Sequence, residues 1–211
     1  MNNNIISAGT PIAKAAKALI MLHGRGADAK DILGLAEYLN VKDFALLAPQ
    51  APGNTWYPYS FIAPGGDNEP YLSQSLQAVD DVVAFAISNG IAKKNIYLLG
   101  FSQGACLASE YMARNADRYG GLVVFTGGLI GEQISRNNYT GNFNGTPVFI
   151  GTSDPDFHVP VERVYATANI FKEMGAAVTE KVYANMGHTI NQDELAHANN
   201  IVFAKAVGKE V

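Results

Sequence analysis

The segment Gly100-Phe-Ser-Gln-Gly104 joins an apolar run to a helical pattern, and this junction restricts the fold more than any other stretch of the chain. Ile96 to Leu99 reads as a short strand and Ala105 to Ala113 as a helix, so the five residues must turn a tight strand-to-helix corner. In a G-x-S-x-G elbow of this kind the serine occupies a strained turn at the C-terminal end of a strand. Its hydroxyl stands clear of the sheet, with a helix N-terminus behind it. Gly100 and Gly104 are then steric requirements, because a side chain at either position would push the strand and helix apart. The pattern alone is weak, since composition gives it to a chain of this length with a probability on the order of one in ten. The flanking strand and helix give it weight.

Short apolar runs alternate with longer amphipathic segments along the rest of the chain, which is the signature of a mostly parallel sheet with helices on both faces. Strands are expected at Lys17–Leu22, Phe44–Ala48, Gly121–Thr126, Pro147–Ile150 and Val178–Tyr183. Helices are expected at Asp28–Asn40, Leu72–Asn89, Val161–Met174 and from about Asn191 to Val207. The stretch from Pro49 to Pro70 carries prolines at 49, 52, 58, 64 and 70 and predicts a long ordered loop. With 211 residues, 48% of them apolar, one large core is expected, with residues 1–211 as a single domain.

Composition excludes several partners. The net charge of -4 and the absence of Lys/Arg clusters argue against nucleic acid. No uncharged apolar segment of about 18 residues offers a membrane span, and the N-terminus lacks the charged start and apolar block of a signal peptide. A soluble, cytoplasmic protein is the expectation. The single cysteine, Cys106, cannot form an internal disulfide and reads as a buried helix residue.

A serine hydroxyl is a weak nucleophile until a base takes its proton, so an activated Ser102 requires a histidine and an acid to orient it. His188 follows a predicted strand and precedes the last helix, which puts it on a loop at the sheet edge and makes it the candidate base. His197 falls inside the last helix among polar neighbours and reads as a surface residue. His23 follows the first strong strand and is expected to shape its loop by hydrogen bonding. For the acid, Asp154 and Asp156 compete in Gly151-Thr-Ser-Asp-Pro-Asp-Phe-His-Val-Pro160. The D-x-x-V-P spacing selects Asp156 and leaves Asp154 as a turn former before Pro155. His158 beside these carboxylates raises a metal site, but no H-x-x-x-H or C-x-x-C spacing supports one. Acyl chemistry also needs donors for a developing oxyanion. The backbone N–H of Gln103 is one, and the loop His23-Gly24-Arg25-Gly26 offers a second at Arg25. Two readings stand for the Arg25 side chain: contact with substrate, or an ion pair with Asp28 or Asp31.

Taken together, L-H-G-R-G from Leu22, G-F-S-Q-G from Gly100, D-x-x-V-P from Asp156 and G-H-T from Gly187 span nearly the whole chain. On these residues the sequence resembles the phospholipase/carboxylesterase family, the acyl-protein thioesterase-like branch of the α/β-hydrolases. The resemblance implies an α/β-hydrolase fold with no separate cap domain, and a serine esterase or thioesterase with Ser102, Asp156 and His188 as its triad. It further implies a small ester or thioester substrate, no cofactor, and a possible homodimer. The segment Asn54-Thr-Trp-Tyr-Pro-Tyr-Ser-Phe61 and the form Asp-Pro-Asp-x-His-Val-Pro look closer to small bacterial hydrolases, some linked to aromatic or quinone metabolism, than to eukaryotic thioesterases.

The long loop carries more aromatic surface than solvation needs. Trp56, Tyr57 and Phe61 are candidates for the substrate pocket, with Tyr59 and Tyr71 nearby, and the competing reading is that they pack the loop onto the domain. Without a cap, an open, shallow site for short or medium esters is expected. Two other functions use the same scaffold: a non-hydrolytic lyase or acyltransferase, and a ligand-binding protein without activity.

Overall fold

The computed structural model describes residues 5–64 and 66–204. Its strands are β1 (Ile5–Gly9), β2 (Lys17–Leu22), β3 (Phe44–Pro49), β4 (Ile96–Phe101), β5 (Gly121–Phe125), β6 (Pro147–Asp154) and β7 (Ala177–Ala184). They form one sheet in the order β1-β3-β2-β4-β5-β6-β7, parallel throughout except where β1 runs against β3. The helices are α1 (Ala29–Gly34), α2 (Tyr71–Ser88), α3 (Gln103–Arg114), α4 (Val161–Glu173) and α5 (Gln192–Ile201). This is the α/β-hydrolase architecture, and among the described residues no separate cap stands over the sheet.

Alternation along β2 shows why helices cover both faces. Ala18, Ile20 and Leu22 pack into one apolar cluster with Val79 of α2, Ala108 of α3 and Val164 of α4. Leu19 and Met21 enter the other, with Ile32 of α1 and Leu195 of α5. A strand buried on both sides must be apolar at every position, and β2 and β3 are nearly so.

The sheet order also fixes where a site can form. After β2 the chain steps outward to β3 and then returns to lay β4 on the other side of β2. Open α/β sheets bind ligands at such a reversal, outside the carboxyl ends of the strands. Leu22 is the register partner of Gly100, so the loop that starts at His23 leaves the sheet beside the serine elbow.

Four elements differ from the sequence expectation. β1 carries no clear period, since Ile5-Ile6-Ser7-Ala8-Gly9 is a short, partly exposed edge strand held by its pairing with β3. The helix expected over 28–40 starts after Asp28, whose carboxylate caps it by accepting from the N–H groups of Lys30 and Asp31. It gives way at Gly34 to a 3-10 turn over Leu35–Tyr38, because interior glycine weakens a helix by about 1 kcal/mol relative to alanine. β6 runs to Asp154, four positions past Ile150, because β7 pairs with it along its full length. α5 ends at Ile201, and the part of the expected helix beyond residue 204 lies outside the described residues.

Candidate active site

Ser102 sits between β4 and α3 with φ 53° and ψ -118°, a left-handed backbone that L side chains rarely adopt. Its N–H donates to the Phe125 carbonyl of β5 at 3.0 Å, and its carbonyl accepts from Cys106 at 3.0 Å. Those two bonds hold the strained turn from either side. The flanking glycines are required by space. A Cβ on Gly100 would overlap the Gly104 carbonyl, and one on Gly104 would overlap the Leu22 carbonyl. The elbow can therefore pack against β2 only as written.

His188 comes to Ser102 from the loop between β7 and α5. Its Nε2 lies 2.8 Å from Ser102 Oγ, and its Nδ1 lies 2.8 Å from Asp156 Oδ2. An ionised carboxylate only accepts, so Nδ1 carries the proton and Nε2 is free to accept from the serine hydroxyl. The ring is set by Phe101, whose centroid lies 5.2 Å away. Its loop is pinned where the Gly187 N–H donates to Ser153 Oγ at 3.0 Å. Asp156 follows β6, and its other oxygen accepts from the N–H groups of His158 at 2.7 Å and Val159 at 3.0 Å. Burial pushes its carboxyl up, but the His158 N–H, the His188 ring and the Val159 N–H outweigh burial and hold it below the usual carboxylate range. Asp154 ends β6 with its side chain exposed and takes no part in this chain of bonds.

The loop after β2 is built around His23. Its Nε2 accepts from the Ala51 N–H at 3.1 Å, so Nδ1 carries the proton and donates to the Gly24 carbonyl at 2.8 Å. Arg25 follows beside the elbow. Of the two readings for its side chain, the ion pair with Asp28 or Asp31 is not formed: Asp28 caps α1 and Asp31 accepts from the Asp28 N–H. The guanidinium donates instead to the carbonyls of Pro58 at 2.8 Å and Tyr59 at 2.7 Å. Among the described residues, no acceptor takes the backbone N–H of Arg25 or of Gln103. The Gln103 side chain, which the sequence reasoning passed over, is buried. It accepts from the Trp56 N–H at 3.0 Å and donates to the Tyr57 carbonyl at 2.8 Å.

Ser102 and His188 open into a cavity of about 380 Å³ whose wall includes Tyr57, Phe61, Cys106 and His158. Trp56 is not in that wall. Its indole N–H donates to the His23 carbonyl at 2.9 Å and Ser75 Oγ donates to its own carbonyl, so the ring is drawn away from Ser102. Trp56 lines a neighbouring cavity of about 570 Å³, which shares the Tyr57-Pro58 wall but contains none of Ser102, Asp156 or His188. Size is therefore no guide to the chemistry here. Burial pushes the Cys106 thiol up to about 12, so it stays protonated in the cavity wall. Among the described residues, no group of three or more His, Cys, Asp or Glu side chains is arranged to hold a metal ion. No helix among them is long and apolar enough to cross a membrane.

Residues 3–203 match the sequence model of the phospholipase/carboxylesterase family. The chain belongs to that family. A phospholipase/carboxylesterase from Dyadobacter fermentans is 49% identical in sequence, and its crystal structure superposes with a TM-score of 0.94 over 95% of this chain and 96% of that one. Acyl-protein thioesterase 1 of Saccharomyces cerevisiae is 27% identical over 214 residues, 91% of this chain and 94% of its own. A probable carboxylesterase of Arabidopsis thaliana, SOBER1-like, is 25% identical over 199 residues, covering 85% of this chain and 75% of its own. Family membership makes the protein a hydrolase of the esterase and thioesterase type.

Proposed function

We propose that the protein hydrolyses carboxylic esters or thioesters of small to medium size through an acyl-Ser102 intermediate. The observation that carries this reading is the unbroken chain from Ser102 Oγ through His188 to Asp156, with 2.8 Å at each link. In the first half-reaction Ser102 Oγ attacks the carbonyl carbon while its proton passes to His188 Nε2. Asp156 holds the ring by its Nδ1–H and stabilises the imidazolium that forms. The backbone N–H groups of Arg25 and Gln103, without acceptors among the described residues, receive the negative oxygen of the tetrahedral intermediate. Collapse expels the alcohol or thiol, which takes the proton from His188. Water then repeats the sequence on the acyl-enzyme, giving the acid and free Ser102. Every group this needs comes from residues 1–211, read as one hydrolase domain.

The test is incubation with a fluorophosphonate probe alongside a chain-length series of p-nitrophenyl esters. Labelling at Ser102 and turnover that both vanish in Ser102→Ala are expected, with kcat falling by about 10⁶ if the three residues act as a unit. An unlabelled, inactive wild-type protein would refute the reading. Labelling without ester turnover in water would move it to an acyltransferase or lyase.

A further inference from the structure

The cavity around Ser102 has in its wall an exposed, charged residue that ester hydrolysis by itself does not require. Arg25 lines it, and its guanidinium donates to the carbonyls of Pro58 and Tyr59, two residues that line it too. Carbonyls satisfy donors without cancelling charge, and a guanidinium in a protein is always charged. Among the described residues no carboxylate forms an ion pair with Arg25. Asp156 does not serve as its counterion. Its carboxylate is fully buried, lies outside the cavity wall, and is engaged by His188 and by the N–H groups of His158 and Val159.

His158 adds a second nitrogen group to the same wall. Its ring stands edge-on to that of His188 with centroids 4.8 Å apart, and the residue is exposed. Behind the wall, the Arg163 guanidinium lies 5.8 Å from the centre of the Phe61 ring. Among the described residues that line the cavity there is no Asp or Glu. A purely alkyl substrate would displace water from these donors and return nothing to them, which a site built to favour such a substrate avoids.

We infer that the ester or thioester accepted here carries a carboxylate on a short arm, held by the Arg25 guanidinium and the His158 ring. The inference rests on the proposed chemistry at Ser102 and names its substrate class. Arg25 offers its backbone N–H to the reacting carbonyl and its guanidinium one side chain away, so a few methylenes separate the two ends of the substrate. A cavity of about 380 Å³ has room for a half-ester of a small diacid.

Two substrates of matched shape test this: monoethyl glutarate and the ethyl ester of glutaramic acid, in which a neutral amide replaces the carboxylate. With ethanol release as the readout, kcat/KM for the acid should exceed that for the amide by about tenfold or more at low salt, as hydrogen bonds to a charged partner predict. That advantage should shrink as salt is added. Arg25→Gln and His158→Asn are read by the acid-to-amide ratio, which a general loss of activity leaves unchanged. The ratio should fall toward one in Arg25→Gln and part of the way in His158→Asn. A wild-type ratio of one or less, with the amide turned over, overturns the inference and leaves the hydrolase intact. A ratio untouched by both variants also overturns it. No turnover of either ester and no fluorophosphonate labelling of Ser102 would overturn both.

Discussion

Asp156 reaches His188 Nδ1 at 2.8 Å with a carboxylate that solvent does not touch, while Asp154, two positions earlier, points its side chain into water. The two aspartates should therefore respond differently to the same isosteric change. Asp156→Asn keeps the shape but lets the amide donate to Nδ1, which favours the wrong imidazole tautomer, and a loss in kcat on the order of 10⁴ is expected. Asp154→Asn should stay within a few fold of wild type. Steady-state kinetics on one ester decides, and a larger loss at Asp154 would sink the assignment.

Gln103 grips the long loop over 49–70 from the first turn of α3. Replacing it with leucine leaves the Trp56 N–H and the Tyr57 carbonyl buried without their partners. Each unpaired group costs about 1–3 kcal/mol. Urea unfolding of Gln103→Leu should show a loss in that range or above, and KM should rise because Tyr57 walls the cavity. Unchanged stability would mean the loop is held elsewhere.

Glycine to alanine should act in opposite directions at two sites. At Gly104 the new Cβ meets the Leu22 and His23 carbonyls, main-chain atoms that cannot step aside without parting α3 from β2. Gly104→Ala should cost about 3 kcal/mol or more and abolish Ser102 labelling. At Gly34 the Cβ meets open space and the backbone is already helical, with φ -58° and ψ -26°. Gly34→Ala should stabilise by about 0.5–1 kcal/mol. Thermal melts of the pair give both signs at once.

Glu194 is buried at the start of α5. Its Oε2 accepts from the Asn191 N–H at 2.8 Å, and its Oε1 has no hydrogen-bond partner among the described residues. Burial pushes its carboxyl from the ordinary 4.5 up to about 7, against the pull of the Asn191 N–H and with some help from Asp193. Between those values the folded chain keeps a proton that the unfolded chain has lost. Stability from this group is thus present below about pH 4.5 and is lost as pH rises to about 7. Glu194→Gln keeps the acceptor for Asn191 and removes the titration. The variant should be the more stable protein above pH 7, by on the order of 2 kcal/mol, and the difference should close near pH 4. A pH-independent difference would assign the effect to packing.

The meeting of Ser102, His188 and Asp156 could be read from the sequence because each occupies a position that chemistry or backbone geometry restricts. The elbow needs glycines on both sides of the serine, and Asp156 stands in the D-x-x-V-P spacing just before α4. The expected ends of β2 and β4 hold within two residues because both strands are buried runs with abrupt polar boundaries. Trp56 and Tyr57 could not be told apart, because loop side chains follow no period. Which aromatic faces Ser102 depends on the grip of Gln103 and Ser75, residues distant in sequence. The same holds for His158, whose place beside His188 comes from the turn that Asp156 ties with its own carboxylate. β1 was hidden for another reason: an edge strand made by pairing needs little apolar pattern of its own.

The separation of Ser102 from His188, 86 positions along the chain, bears on when the protein becomes reactive during folding. The elbow is held once β4 lies between β2 and β5, but the hydroxyl has no base until β7, two strands beyond β5, brings the His188 loop into place. Contacts this distant form late, because loop closure must come first. On the proposed chemistry, a nascent or partly folded chain carries an ordinary serine, and its reactivity is switched on when the His188 loop is in place. In refolding from urea, fluorophosphonate labelling should trail the recovery of far-ultraviolet circular dichroism.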